Sequence, residues 1–362
     1  MRATGRRVPW GWWVAGAALL GSTGTAIVLG ARGRSIVRMG VPNDGSADAA
    51  APLQALLNAA RPGSAFFAPP GTYLILTPVQ VPSGIALTGT PTSRFVTTAS
   101  ANLPGFFQVT GDSVTLTALT LVGNNLAGVG VDATLAPVAN LTVQNCLITQ
   151  MQAAGIQVGY NGTPCTDVKI LSNSLVACAF PLSALYDCDG VQFVGNVALS
   201  SPQRGIMLNL GNASGPRNVL IQANRIEAQA HTGALSIEGA NAVQVVNNQW
   251  ISWHGIFGFY CAFTGQSAQN TNVVIKGNSF AQMTPSTGFC GVFGAANGIQ
   301  LTGNQFSGFY GGLGADSNCR SGNVVSGNRF SGLSADYEGT WLQGGWTFSG
   351  NTGISAPPFV AG

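Results

Sequence analysis

The chain has 362 residues, of which only 7% are charged, and its formal net charge is +3. Six of the 15 basic residues lie in the first 38 positions, and the remaining nine are outnumbered by the 12 acidic residues, so the rest of the chain lacks the basic surface that nucleic acids require. The 50 glycines exclude a mainly helical protein, because glycine is a poor helix former, and they favour short strands joined by tight turns.

The N-terminal segment has the pattern of an export signal. Arg6 and Arg7 precede an uncharged, apolar stretch at 8–31, the order found in secretory signals. This stretch also has the ~20 residues that a membrane anchor needs. We therefore predict that residues 1–34 are a signal peptide or membrane anchor. The remainder would then be periplasmic, extracellular or anchored outside the cytoplasm.

Residues 35–80 are predicted to form an entry segment with a cap. Acidic residues at 44 and 48 precede a helix-like stretch at 49–61, which has apolar residues at 53, 56, 57 and 60. A short helix here would cover the first strands of the domain that follows. Such a cover is needed because an open end leaves strand edges unpaired.

A repeat then runs along the chain. The pattern apolar-x-apolar-x-x-Asn-x-apolar recurs at intervals of 23 to 30 residues, which indicates short strands stacked about 4.8 Å apart. Each repeat asparagine would lie above the next and exchange amide hydrogen bonds with it, so we interpret these residues as scaffold. The repeat asparagines are Asn145, Asn173, Asn196, Asn224, Asn248, Asn278, Asn304, Asn328 and Asn351.

Aromatic side chains follow four of these asparagines at a fixed distance. Trp250, Phe280, Phe306 and Phe330 each lie two residues after a repeat asparagine. Side chains two residues apart on a strand share a face. We therefore predict a stack of aromatic rings in the core.

Each coil has a further strand, usually led by glycine, about seven residues after the asparagine. Examples are GIQVGY at 155–160, GIMLNL at 205–210 and GIFGFY at 255–260. Three strands per coil with bends of variable length favour a parallel β-helix over a propeller, whose blades need four antiparallel strands and about 40 residues.

The entry segment resembles that of the pectate-lyase-like β-helix superfamily. The resemblance rests on NDGSAD at 43–48, on Gln54 and Leu57 in the predicted helix, and on PPGTY at 69–73. Residues 80–350 match by repeat pattern alone. The resemblance implies an all-β chain: a single-stranded right-handed parallel β-helix of roughly ten to eleven coils over 81–362, with a short N-terminal capping helix. It also implies, in many members, action on carbohydrate.

Enzymes of this superfamily use the exposed face of the strand that glycine leads here. Arg204, His231 and His254 enter that strand on three consecutive coils, and Glu238 leaves it on the middle coil. Arg204 would bind a uronate carboxylate, a histidine would act as general base or acid, and Glu238 would assist it. The alternative is that these are solvated bend residues aligned by chance. Predicted sugar contacts are Asn209, Trp253, Phe257 and Phe259.

Two functions remain open on the sequence. The first is an exported protein that binds or modifies an extracellular polysaccharide as a lyase, epimerase or hydrolase. The second is a non-catalytic cell-surface scaffold or glycan-binding module, since no complete catalytic signature of the superfamily is present. Asp187 and Asp189 alone would make a poor calcium site. We predict no metal and no cofactor, and the oligomeric state stays open.

The cysteines allow one specific pairing. Cys165 and Cys188 each lie eight residues before a repeat asparagine, which places them at one corner of adjacent coils. Their Cα atoms would then be one coil apart, within the ~4.4–6.8 Å that a disulfide spans. We predict that they form a disulfide.

Overall fold

The computed structural model describes residues 33–98, 103–159, 163–185, 187–209, 215–229, 233–253, 257–261, 270–284, 288–319, 321–339, 341–342, 345–357 and 359–360. The predicted signal or anchor thus lies almost wholly outside the described residues. Within the described part of the chain, no helix has the length and apolar character needed to cross a membrane. The described residues belong to one unit, Gly33–Gly362.

The chain winds through three columns of parallel strands, which we call sheets A, B and C. A strand of sheet A precedes the repeat asparagine, a strand of sheet B follows it, and sheet C holds the later strand. Every assigned strand pair is parallel and joins neighbouring coils, as in Thr142–Gln144 with Lys169–Leu171. The described residues form about ten coils and one short α-helix, which confirms the predicted parallel β-helix.

Sheet A contains Arg34–Ser35, Ala65–Phe67, Ala86–Thr88, Thr115–Thr117, Val138–Ala139, Thr142–Gln144, Cys165–Thr166, Lys169–Leu171, Cys188–Asp189, Gln192–Val194, Arg217–Gln222, Asn241–Val246, Asn270–Lys276, Ala296–Asn297, Gln300–Thr302, Asn323–Ser326 and Trp346–Ser349. Sheet B contains Asp44–Asp48, Gly71–Leu74, Ser93–Val96, Ser174–Val176, Val197–Ser201, Arg225–Ala228, Gln249–Ser252, Ser279–Gln282, Gln305–Ser307 and Arg329–Ser331. Sheet C contains Val79–Val81, Leu103–Val109, Phe180–Leu185, Ile206–Asn209, Leu235–Ile237, Phe257–Cys261, Phe289–Phe293, Gly311–Ala315 and Ala335–Gly339. The long strands Thr120–Ala133 and Leu147–Val158 run through both B and C, and Trp341–Leu342 pairs with Phe359–Val360 outside the three columns.

The capping helix spans Ala50–Asn58 and buries Leu53 and Leu57. It is shorter than the predicted 49–61, because the residue before Pro62 is disfavoured in a helix. The Gln54 side chain accepts a hydrogen bond from Gln80 N at 2.6 Å and donates one to Gln80 O at 3.1 Å. Gln54 therefore substitutes for the missing neighbour of the first sheet C strand, which is the physical task of a cap.

The bend between sheets A and B turns at a residue in the left-handed conformation just before the repeat asparagine. In successive coils this residue is Ser172, Gly195, Ala223, Asn247 and Gly277, with φ between 54° and 67°. Glycine and asparagine adopt this conformation at the lowest cost, which explains the frequent Gly-Asn pair in the repeats.

The asparagine side chains hydrogen-bond from coil to coil inside this bend. Asn196 Oδ1 accepts from Asn173 N at 2.8 Å and from Asn173 Nδ2 at 3.0 Å, and the same pattern continues to Asn351. Asn145 does not belong to the series: it is exposed, and Cys146 occupies its place and donates its N–H to Asn173 Oδ1 at 2.9 Å. Asn145 is instead the left-handed residue of its coil, with φ of 54°.

The predicted aromatic stack is confirmed. Trp250 and Phe280 are stacked at 5.8 Å between ring centroids, Phe280 and Phe306 at 5.0 Å, and Phe306 and Phe330 at 4.9 Å. All four side chains are buried. They fill the interior behind sheet B over four coils.

Cys165 and Cys188 are register partners on adjacent coils, both with buried side chains. The two sulfurs are not bonded to each other in the structure; the Sγ atoms lie 3.2 Å from Ala133 O and 3.4 Å from Val158 O, respectively. Burial raises the pKa of the Cys165 thiol to about 11, so this sulfur reacts slowly while the protein is folded. The disulfide stays a prediction, for which the register supplies the required separation.

We expect that protein produced in an oxidising compartment, unfolded without reductant and alkylated, keeps two of its cysteines unmodified. Peptide mapping would assign them to Cys165 and Cys188, and reduction would release both. As a control, Cys178→Ser removes a different buried cysteine and should leave the protected pair intact. Alkylation of both Cys165 and Cys188 before reduction would show that the disulfide does not form.

Candidate functional site

A row of mostly polar residues lies along the outer side of sheet C. Its members alternate with core residues such as Ile156 and Ile206 and are register partners on successive coils, about 4.8 Å apart. Several are nearly buried although they lie on the outer side of the sheet: Ser183 and Ser236 are each 3% exposed. The row consists of Gln108, Asp132, Gln157, Ser183, Met207 and Ser236.

The structure brings Arg204 and Glu238 together across this row. Arg204 Nη1 lies 3.7 Å from Glu238 Oε1, and their side chains are 29% and 14% exposed. The Ser236 hydroxyl donates a 2.7 Å hydrogen bond to the same Glu238 oxygen. Arg204 Nη1 also lies 3.8 Å from the Met207 sulfur. The arginine side chain therefore extends from the B–C turn of one coil towards the end of the sheet C strand in the next.

The Arg204 guanidinium retains donor capacity. Its distance to Glu238 exceeds that of a hydrogen bond, and no oxygen among the described residues accepts one from it. A guanidinium has five N–H donors in a planar fork that matches a carboxylate. This half-buried cation is therefore suited to receive an acidic group on the sheet C face, while Glu238 balances its charge.

Trp253 projects from the B–C turn two coils after Arg204. It is 39% exposed, and its Nε1 donates a 2.8 Å hydrogen bond to Glu227 Oε1 of the preceding coil. Met283, whose N–H donates to Ser252 O at 2.8 Å, follows on the next coil and is 52% exposed. The turn thus presents a fixed indole ring beside a second apolar side chain. Glu227 is not among the predicted site residues; its only sequence signal is its position 26 residues, or one coil, before Trp253.

Two carboxylates of this face, Asp132 and Glu238, are far apart. Asp132 and Ser236 are separated by four coils along the row, which at about 4.8 Å per coil is roughly 19 Å. Burial raises the pKa of Asp132, although Thr134 donates to its carboxylate from both N and Oγ1. Asp132 and Glu238 consequently belong to different parts of the face.

Asp189, one of the two acids weighed as calcium ligands, is engaged in a surface cluster. Asn218 Nδ2 donates to it at 2.7 Å and Arg217 Nε at 2.8 Å, and these contacts lower its pKa. Among the described residues there is no group of three or more His, Cys, Asp or Glu arranged to hold a metal.

Comparison with known proteins agrees with this architecture. Residues 33–174 match the family model described as rhamnogalacturonase A/epimerase, pectate lyase-like. The A-module of the mannuronan C-5 epimerase AlgE6 from Azotobacter vinelandii superposes with a TM-score of 0.70, 15% identity and coverage of 90% of this chain and 100% of that one. The protein has a pectate-lyase-like parallel β-helix. No curated protein matches the sequence.

Two further solved structures share the parallel β-helix fold. The surface adhesin PfbA of Streptococcus pneumoniae has a TM-score of 0.66 and 14% identity, covering 89% of this chain and 91% of its own. The catalytic unit of a GH87 α-1,3-glucanase from Streptomyces thermodiastaticus has a TM-score of 0.56 and 15% identity, covering 90% and 69%. At these identities the likeness establishes the fold. The family match ends at residue 174, before Arg204.

One predicted sugar contact of the pectate-lyase-like β-helix is wrong. Phe259 is fully buried and packs against Phe280 and Phe293 at 5.8 and 5.3 Å. The reason is the register: Leu235 pairs with Phe259, so Gly258, and not Gly255, corresponds to Gly205. The turn is longer than the glycine pattern indicated, and the inward and outward positions are exchanged.

Four predicted site residues have side chains outside the described part of the structure. His231 and His254 lie outside the described residues, as do the side chains of Asn209 and Phe257. The backbones of Asn209 and Phe257 lie in sheet C strands. Their roles stay predictions.

Proposed function

We propose that this pectate-lyase-like β-helix is exported through its N-terminal segment and that sheet C binds and modifies an acidic, uronate-containing polysaccharide. The observation that carries the proposal is the Arg204 guanidinium, half-buried over the polar row and without an oxygen acceptor among the described residues. Arginine–carboxylate pairs are among the strongest polar contacts in proteins. The epimerase and glucanase among the structural neighbours support a carbohydrate substrate.

The spacing of Asp132 and Glu238 is too wide for these two carboxylates to act together in hydrolysis. Glycoside hydrolases place two carboxyl groups about 5–9.5 Å apart across the scissile bond, whereas the coils carrying Asp132 and Ser236 are roughly 19 Å apart. A lyase or epimerase needs a base for the proton beside the uronate carboxylate and a cation to stabilise the charge that develops.

In the proposed mechanism, Arg204 pairs with the uronate carboxylate and stabilises the carbanion formed when the adjacent C–H proton is removed. Glu238, His231 or His254 accepts that proton. In an elimination, the electron pair then expels the glycosidic oxygen at the next carbon and leaves an unsaturated end. In an epimerisation, a proton returns to the opposite face of the same carbon.

The exposed Trp253 ring favours a second candidate, a non-catalytic glycan-binding surface. Glu227 holds the indole in place, and a fixed aromatic face beside Met283 suits contact with a sugar ring. The adhesin PfbA shows that a protein of this fold can be a surface adhesin.

A panel of acidic and neutral glycans, assayed for binding, unsaturated ends and uronate configuration, separates the two candidates. We expect Arg204→Ala to lower kcat/KM on an acidic glycan about 10- to 150-fold, the loss of one charge-assisted contact. Arg61→Ala, on the exposed end of the cap, is the matched control and should have no effect.

Each further outcome has a defined meaning. Loss of turnover in a His231→Ala/His254→Ala double variant would assign the base to a histidine, and loss in Glu238→Gln would assign it to Glu238. Binding without turnover that Trp253→Ala weakens would establish the second candidate. Full activity in Arg204→Ala would overturn the proposed site.

A further inference from the structure

A second groove runs along the bend between sheets A and B, away from the sheet C row. Its volume is about 420 Å³. We call it the A–B groove. Its lining consists of Gly195, Asn196, Val197, Ala223, Asn224, Arg225, Asn247, Asn248, Gln249, Gly277 and Ser279.

Coil geometry explains why this bend is concave. The left-handed residues Gly195, Ala223, Asn247 and Gly277 form a floor of mostly small side chains. One wall follows the bend, where Arg225 pairs with Gln249 and Gln249 with Ser279 on successive coils. The residues just before the bend, Gln222, Val246, Lys276 and Thr302, are register partners on successive coils and flank this lining without being part of it. The groove therefore runs along the solenoid with one set of side chains per coil.

Arg225 lines the groove, Lys276 and Arg329 lie at the same bend beside the lining, and the lining itself has no acidic residue. Arg225, Lys276 and Arg329 are exposed and follow one another at two-coil intervals, which is about 10 Å. No carboxylate among the described residues lies within 4 Å of these three cations. Four positions of each coil form the bend: the residue before the left-handed turn, the turn residue, the repeat asparagine position and the residue after it. Among the described residues from 117 to 352, none of these positions is Asp or Glu.

Backbone groups of the bend are already paired, so recognition there depends on side chains. The N–H groups of Arg225, Gln249 and Ser279 donate to carbonyls of the preceding coil at 2.8–3.0 Å. Gln222 and Gln249 add amide donors and acceptors between the cations. A regular row of cations and amides matches a linear polymer that carries anionic groups at intervals.

We propose that the A–B groove is a second, non-catalytic glycan site that holds a linear acidic polysaccharide along the solenoid axis through Arg225, Lys276 and Arg329. The polymer class rests on the proposed function; the groove and its charge do not. A polymer bound here and on sheet C at once would be held more tightly than by either surface alone.

The test uses the full chain and polygalacturonate as the probe, with neutral dextran for comparison. The groove variant is Arg225→Gln/Lys276→Gln/Arg329→Gln. The control, Arg38→Gln/Arg61→Gln/Lys169→Gln, removes the same charge from exposed positions that neither line the groove nor adjoin its left-handed residues Gly195, Ala223, Asn247 and Gly277. Both are made in the wild-type and the Arg204→Ala backgrounds, and Kd is measured by calorimetry at low and high salt.

We expect the groove variant to bind polygalacturonate about tenfold more weakly at low salt in both backgrounds, with the difference falling as salt rises. The control should change Kd less than twofold, and dextran binding should be unaffected. Unchanged thermal midpoints would verify folding. Equal losses in groove and control variants, or no loss in the groove variant, would overturn the inference.

The two backgrounds separate this inference from the proposed function. If Arg204→Ala abolishes binding and the groove variant does not, sheet C is the only glycan site and the inference fails. If the groove variant loses binding and Arg204→Ala does not, the inference stands and the sheet C proposal fails. Tighter binding of a nucleic acid duplex through the same three residues would overturn the assignment of the ligand class.

Discussion

Asn248→Leu is expected to lower the free energy of unfolding by about 3–5 kcal/mol. The Asn248 amide donates to Ile221 O at 2.9 Å, to Val246 O at 3.2 Å and to Asn278 Oδ1 at 2.9 Å. Its oxygen accepts from Asn224 N and Nδ2, both at 2.9 Å. Leucine has similar size but leaves these groups buried without partners, and each such group costs about 1–3 kcal/mol.

Urea unfolding followed by circular dichroism measures this effect. Asn247→Gly is the matched control, because the neighbouring Asn247 is exposed and has a φ of 55° that glycine adopts freely. Its midpoint should stay close to that of the unmodified protein. An Asn248→Leu midpoint equal to that of Asn247→Gly would show that the column does not stabilise the coils.

Phe280→Ala is expected to cost about 3–5 kcal/mol through the cavity it creates. Phe280 lies in the middle of the aromatic stack, between Trp250 at 5.8 Å and Phe306 at 5.0 Å, and Phe259 packs against it at 5.8 Å. These rings belong to three different coils and to two sheets. Removing Phe280 therefore weakens contacts along the axis and across the core.

The same denaturation experiment reports this loss. Tyr310→Ala is the control, since Tyr310 is 47% exposed and its removal should change the free energy of unfolding by less than about 0.5 kcal/mol. Phe280→Leu should recover part of the stability by refilling the space. A Phe280→Ala protein as stable as Tyr310→Ala would contradict the assignment of the stack as a main source of stability.

The sequence predicted the parts of the fold that depend on local periodicity. Strand alternation and the recurring asparagine indicated the parallel coils, and the position two residues later located the stack of Trp250, Phe280, Phe306 and Phe330. These features repeat because each coil must match its neighbours about 4.8 Å away. Asn145 is an exception to this prediction. It matches the sequence pattern, but Cys146 occupies the inward position and Asn145 forms the turn.

The sequence pattern does not predict the length of the turn that precedes each sheet C strand. Counting the alternation of side chains from Gly255 predicts that Phe259 points outward. The strand instead aligns with its neighbour through Gly258, and Phe259 lies in the core. Because side chains alternate along a strand, a shift of the alignment by an odd number of residues, here three, exchanges its inward and outward faces. Since the turns vary in length while the strands do not, the glycine that begins a turn does not define which side chains point outward.

The repeat, the aromatic stack, the capping helix and the charge-poor surface could be predicted from the sequence, because each follows from residue type and spacing within a coil. The contacts between residues of different coils, such as Arg204 with Glu238 and Trp253 with Glu227, depend on the tertiary structure, as does the alignment of Arg225, Lys276 and Arg329 along one bend. The two contacts join positions 34 and 26 residues apart. Their register is set by the packing of neighbouring coils, and because the turns vary in length, no local sequence pattern reveals it.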